Sequence, residues 1–283
     1  MNNKILITGS NGFTGTYLTK ALEQTQWEVI PLSQYSSGLK NEIVIDFCDD
    51  AFSGFLRTLP PVIAVVHLGT RVGWDKSTSA DLFKPNVLAT GILADWAKRN
   101  NSFFIFASAA LIAGETTTHI TPGLPVNTTN DYLYSKWLAE ELIRMSGVRH
   151  SLLRISGIYG FNGPQHLGLN KAIKNAVDGI PPVQYGTGNI KRNYVYVKDL
   201  CKTILYAIEH QEKTQGTHLI ASPEPISIKE MLQTICDILL PGSHPEVKEG
   251  TGGYDQIIEP SPIFPPVRSF SDAINDIYKD IHK

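Results

Sequence analysis

Cysteine is scarce in this chain: three among 283 residues, at positions 48, 201 and 236, far apart and with no CxxC pair. An odd, scattered set builds neither a disulfide framework nor a zinc site, so no metal is expected and a reducing, cytoplasmic setting is. Long apolar runs are lacking as well. No stretch reaches the roughly 18 apolar residues of a membrane span, and no basic-then-apolar leader precedes the first apolar segment, so no membrane partner is expected. Excess charge of one sign is the third absence. With 25 Lys and Arg against 27 Asp and Glu the net charge is -2, which argues against nucleic acid or an anionic surface as the partner. Internal repeats and low-complexity segments are also missing. What the chain has is 42% hydrophobic and 18% charged residues, enough to bury a large core in one domain or in a domain with a smaller lobe.

Residues 4–8 are an apolar run without alternation, which suits a central parallel strand. Gly9, Gly12 and Gly15 follow at once, and from residue 16 apolar residues recur at helical spacing. A glycine turn between buried strand and helix is a phosphate cradle. The first glycine permits the tight turn, the second lets backbone N–H groups approach a pyrophosphate, and the third lets helix and strand pack. Asn11 and Phe13 fall within the same turn. Further strands are expected at 27–33, 43–46, 62–70, 103–107, 151–155, 190–197 and 218–221, with helices at 81–99, from 132 and at 199–210. Strands alternating with helices predict an α/β fold, a doubly wound parallel sheet of Rossmann type. At the end of the second strand, Ser33-Gln34-Tyr35 offers neither the acidic residue that suits NAD nor the basic one that suits NADP, so either cofactor fits. His67 ends an apolar strand and reads as a packed, hydrogen-bonded residue.

Two residues carry candidate chemistry. Tyr132 and Lys136 lie four apart at the start of a helix and so share one face. A tyrosine at its ordinary pKa of about 10 is a poor base at neutral pH, and a nearby ammonium can favour the phenolate. Arg192 is a candidate phosphate clamp. The stretch 241–266 is rich in proline and glycine and reads as loop over the smaller lobe, before a final helix from about residue 269.

Together these stretches resemble the extended short-chain dehydrogenases/reductases, the nucleotide-sugar epimerase and dehydratase family. Residues 8–15 resemble TGxxGxxG, Asp46-Phe47-Cys48-Asp49 an adenine-contacting DxxD, and His67-Leu68-Gly69-Thr70 the family's HLAA. Asn86-Val87 is similar to its NV, 132–140 to YxxSKxxxE, Arg154 with Tyr159-Gly160 to RxxxxYG, and 192–199 to RxxxxVxD. The resemblance implies a seven-stranded Rossmann domain over 1–155 plus 189–221 and a substrate lobe over 156–188 plus 222–283. It implies Tyr132 as acid/base, with Lys136 binding the nicotinamide ribose and lowering the tyrosine pKa. Gly9, Asn11, Gly12, Phe13, Gly15, Ser33, Asp46, Phe47, Leu68, Gly69, Thr70, Asn86, Ala107 and Ile158 would hold NAD or NADP. Arg71 and Arg192 would meet a nucleotide-sugar substrate, with Arg268 as a further phosphate ligand. A homodimer through the 81–99 and 132–147 helices is implied too.

Two departures stand out. The family's substrate-orienting Ser/Thr falls at Ala109, leaving Ser108, one residue away, as the candidate replacement; an Asn that meets phosphate falls at Gly157. The expected activity is hydride transfer on a nucleotide sugar or a similar hydroxy/keto compound, as epimerase or ketoreductase. The alternative is a dinucleotide-binding sensor or scaffold with little catalysis.

Overall fold

The structure, a computed structural model, describes residues 3–73, 78–251 and 253–282. Its centre is a seven-stranded sheet. The strands are β1 (Lys4–Thr8), β2 (Glu28–Ser33), β3 (Ile43–Val44), β4 (Ala64–His67), β5 (Phe103–Ala109), then His150–Ile155 and Gly216–Ile220. Across the sheet they run Gly216–Ile220, His150–Ile155, β5, β4, β1, β2, β3, and the pairings from β5 to β3 are parallel. The order steps outward from β1 in both directions, as in a doubly wound fold. Ile5, Leu6, Ile7, Val65, Val66, Phe104 and Ile105 are fully buried, which is why these strands read as unbroken apolar runs.

The chain divides into two compact units, 1–115 with 125–154 and 201–218, and 116–124 with 155–200 and 219–283. The middle stretch of the first unit ends at Arg154, one residue before the expected boundary at 155. Residues 189–200, expected with the sheet, group with the second unit: Lys191–Arg192 pair with Ile226–Ser227, and Val195–Tyr196 with Ile158–Tyr159. The expected long strand at 190–197 is therefore two short ones. Residues 116–124 join the same unit because His119–Ile120 pair with Ile257–Ile258.

The helix expected over 81–99 forms, with an interruption. Residues Ser79–Phe83 are α-helical, Lys84–Leu88 make a wide π turn with Pro85 at its start, and Ala89–Arg99 resume the α-helix. Thr78 caps its start in a reciprocal box with Asp81. The helix Asp131–Ser146 begins under the Asn130 side chain and stops at Gly147, whose φ of 66° is the left-handed cap conformation. These two helices pack closely enough that a side chain at Gly91 would press on Leu142 at 3.0 Å.

Candidate active site

The glycine turn has the geometry its spacing demands. Gly9 has a φ of +69°, and a Cβ there would lie 2.7 Å from the Gly69 nitrogen. A Cβ at Gly15 would lie 2.1 Å from the Gly9 carbonyl oxygen, so helix α1 (Phe13–Leu22) meets β1 at a distance only glycine allows. Gly12 opens α1 with no side-chain cap, leaving the positive helix end to an anion. Asn11 donates to the Tyr35 carbonyl at 2.7 Å and so ties this turn to the loop after β2. These features fit a dinucleotide pyrophosphate.

The loop after β2 supplies an acid that the local sequence lacks. Glu42, nine residues beyond Ser33, brings its carboxylate back to accept from Ser33 Oγ at 2.8 Å and from Ser37 N and Oγ at 2.7 and 2.8 Å. The Ser37 N–H foremost, with the serine hydroxyls, holds this carboxyl below the usual range. Asp46 and Asp49 cap their own turn, accepting from Cys48 N and Ala51 N at 2.8 Å. Phe47 lies against Gly69, where a Cβ would meet its ring at 2.6 Å.

At the end of β4 a single chain of hydrogen bonds fixes His67. Thr8 Oγ1 accepts from Gly69 N–H at 3.2 Å and lies 2.5 Å from His67 Nδ1; His67 Nε2 lies 2.8 Å from Thr90 Oγ1, which donates to the Asn86 carbonyl at 2.7 Å. Thr90 has given its proton away, so Nε2 must be the donor and Nδ1 the acceptor. Burial pushes this imidazole down to about 3. It is a neutral structural link.

Tyr132 and Lys136 are both in the site, but not with the expected electrostatics. Lys136 Nζ lies 4.4 Å from the centre of the Phe106 ring and 6.0 Å from that of Tyr132. Burial drives the lysine down to about 7, only partly offset by Glu140. Burial also drives Tyr132 up to about 12, against a hydrogen bond with the Thr70 hydroxyl that favours the phenolate. Lys136 is expected to bring the phenol toward neutrality; in the structure burial is the larger influence on Tyr132 and shifts it upward.

Ser108 is also turned to another task. Its hydroxyl donates to Glu140 Oε1 at 2.6 Å, and the same buried carboxylate accepts from Arg154 Nε and Nη2 at 3.0 and 2.8 Å and from Arg144 at 3.0 Å. On an extended strand neighbouring side chains point to opposite faces, so Ser108 does not take over from Ala109. Ala107, beside it, is half-buried at the same strand end. Glu140 was legible as the last residue of YxxSKxxxE, four beyond Lys136 and on its face, but nothing in the spacing announced its partner.

Asn86, in the π turn, accepts from Arg71 N–H and donates to the Arg71 carbonyl, both at 2.8 Å, and donates to Ser135 Oγ at 3.0 Å. Arg71 is thus positioned through its backbone. Leu68 continues the sheet pattern, its N–H donating to Thr8 O at 3.1 Å.

In the second unit, Ile158 lies in a short strand, its carbonyl accepting from Asn170 at 3.2 Å. A cavity of about 520 Å³ is lined by Leu169, Val183, Tyr185, Arg192, Tyr194 and Met231 among others. Arg192 is held by Gln256 and by the Tyr254 carbonyl. The Tyr194 ring lies over Gly157, where a Cβ would meet it at 2.3 Å, so the Asn of the motif has no room there. Arg268 is bound to Asp199 and Asp276 at 3.2 and 2.8 Å and stacks over Tyr196. Among the described residues no cluster could hold a metal ion, and no helix is long and apolar enough to cross a membrane.

Residues 5–221 match the model of the NAD dependent epimerase/dehydratase family. The dTDP-glucose 4,6-dehydratase of Salmonella typhimurium is 26% identical over 278 residues, covering 83% of this chain and 76% of its own. Among solved structures, the UDP-N-acetylglucosamine 4-epimerase from Bacillus cereus superposes with a TM-score of 0.82 at 25% identity, over 99% of this chain and 96% of its own. The UDP-glucuronic acid 4-epimerase from Bacillus cereus, in complex with NAD, superposes with a TM-score of 0.80 at 21% identity, over 99% and 100%.

Proposed function

Because the chain belongs to the NAD dependent epimerase/dehydratase family, we propose that it is an NAD-dependent oxidoreductase or epimerase acting on a nucleotide sugar. The observation that carries this reading is the pairing of the half-buried Tyr132 with the buried Lys136 in the unit that holds the glycine cradle. NAD supplies a hydride acceptor or donor at its nicotinamide ring. The chain's part is to hold and to move a proton. Gly9, Gly12 and Gly15 bring backbone N–H groups to the pyrophosphate, and the Glu42 carboxylate repels the extra phosphate of NADP. Lys136 binds the nicotinamide ribose, and Tyr132 exchanges a proton with the substrate oxygen.

In the second unit the cavity suits the nucleotide part of the substrate. Its apolar walls accept a base and Arg192 accepts phosphate, with the Tyr194 phenol beside it. For assembly, Phe83, Leu88, Tyr134 and Met145 are large apolar residues exposed on the helices of 79–99 and 131–146, the face through which a homodimer forms. Sedimentation should show a dimer that Leu88→Glu turns into monomer; a wild-type monomer at high concentration rejects this assembly.

A panel of UDP-, dTDP- and GDP-sugars with NAD tests the activity. Tyr132→Phe is expected to lower turnover by at least about 100-fold while NAD affinity stays unchanged. A second reading rests on Ala109 and on the commitment of Ser108 to Glu140: a dinucleotide-binding sensor. Tight NAD binding with no turnover on any sugar nucleotide would establish it instead.

A further inference from the structure

The cavity of the second unit is basic, in a chain whose net charge is -2: of the residues that line it, Lys171 and Arg192 are cationic and none is acidic. Arg192 is fixed in place, and by neutral groups alone. Its Nη1 donates to Gln256 Oε1 and its Nη2 to the Tyr254 carbonyl at 3.4 Å. Among the described residues no carboxylate pairs with it. Arg268, by contrast, is paired with Asp199 and Asp276, so its charge is balanced within the protein. The backbone explains how Gln256 comes to be the anchor. Its N–H donates to the Lys191 carbonyl at 3.0 Å, and it forms a parallel bridge with Arg192. The acid next to it is turned elsewhere: Asp255 accepts from Lys191 N–H at 2.8 Å. Neighbouring side chains on extended backbone point to opposite sides, which keeps the Asp255 charge away from the amide and the guanidinium. Gln256 is only 8% exposed, so its amide meets Arg192 with little competition from water.

We propose that Gln256 is the positioning residue of Arg192, and that its neutral amide, where a carboxylate would anchor equally well, leaves the guanidinium charge for a nucleoside diphosphate in the cavity. The proposal rests on the reading above, in which the cavity takes the nucleotide of the substrate. An arginine already aimed by its partners loses less side-chain freedom when it meets phosphate. The choice of partner then decides the charge. A carboxylate at position 256 would form a two-point ion pair with the guanidinium, and a diphosphate would have to displace it or meet a balanced charge. An amide oxygen accepts an N–H and carries no net charge, so the remaining donors of Arg192 reach phosphate at full strength. Binding then requires no exchange of partners at Gln256.

Calorimetric titration of UDP, dTDP and GDP into the full chain saturated with NAD tests this without turnover. Gln256→Glu keeps the shape and the acceptor but adds the charge. It is expected to weaken whichever diphosphate binds by about 30-fold and to flatten the salt dependence of binding, with an unchanged or higher urea midpoint. Gln256→Leu removes the acceptor without adding charge and is expected to weaken binding about fivefold. A residue that only braced the backbone of 254–256 would give the reverse order, with Glu harmless and Leu harmful. A Gln256→Glu protein that binds the diphosphate as tightly as wild type, or more tightly than Gln256→Leu does, overturns the proposal, as does a Gln256→Leu protein with wild-type affinity. A wild type that binds none of the three removes this proposal together with the nucleotide-sugar reading. A diphosphate bound tightly but indifferent to Gln256→Glu removes this proposal alone, whereas one that responds to it in a protein without turnover on any sugar nucleotide removes the enzymatic reading alone.

Discussion

The segment that leaves β1 and the segment that leaves β5 both start at strand ends of one sheet, yet they are built from different materials. After β1 everything depends on backbone: three glycines stand where a Cβ would lie 2.7, 3.2 and 2.1 Å from main-chain atoms. After β5 everything depends on side chains: Ser108 faces Glu140, and Ala109 offers a methyl. Backbone positions of the first kind admit one residue type. A side-chain hydroxyl can be supplied from any neighbouring element that reaches the same point.

That difference predicts unequal costs. Gly15→Ala is expected to be the most damaging, because its new methyl has only the Gly9 carbonyl and Ser10 backbone to displace; a loss of more than about 3 kcal/mol in urea unfolding, with NAD binding abolished, is expected. A variant that binds NAD normally would show that the cradle yields more than its geometry allows. Arg154→Leu comes next. It strips the main partner from a fully buried carboxylate, and a stability loss of about 3 kcal/mol should appear at neutral pH, shrinking in Arg154→Leu/Glu140→Gln, where no charge is stranded. Equal stability of the single variant and the wild type would mean that Arg144 alone suffices.

The smallest effect is tied to pH. His67 in the folded protein binds a proton only near pH 3, whereas the unfolded chain does so near 6.5. The unfolded state therefore takes up the proton first as pH falls, and stability is lost from about 6.5 downward. Between pH 7.5 and 5 this amounts to about 2 kcal/mol. Urea midpoints of wild type and His67→Asn at the two pH values isolate the term, since the variant lacks it. Parallel losses in both proteins would assign the acid sensitivity to other groups.

Much of the first segment was legible in the sequence and less of the second, for the same physical reason. A glycine that must adopt a φ of +69°, or that lies within contact distance of another backbone, leaves its mark at its own position. The apolar runs of β1, β4 and β5 announce burial on both faces in the same local way. Hydrogen bonds between distant residues leave no such mark. Nothing near Ser33 reveals that Glu42 will fold back onto it, and nothing near Ser108 reveals Glu140. Helical spacing put Tyr132, Lys136 and Glu140 on one face, but it could not weigh burial against charge. The alternation over 190–197 was read as one strand because both halves are extended; the turn between them is stabilised by Asn193, which binds the Ser222 and Ile258 carbonyls at 2.7 and 2.6 Å.

The π turn at Lys84–Leu88 reaches beyond Asn86. Its hydrogen bonds run from a residue to the fifth one on, as in the bond from Ala89 N–H to the Lys84 carbonyl. Relative to an unbroken α-helix, such a turn changes the azimuth of every residue beyond it. Phe83 and Leu88, on the two sides of this turn, are both exposed. The single wide turn that orients an amide inward for the site also rephases the outer surface, so a one-residue deletion at this point would alter both faces of the helix together.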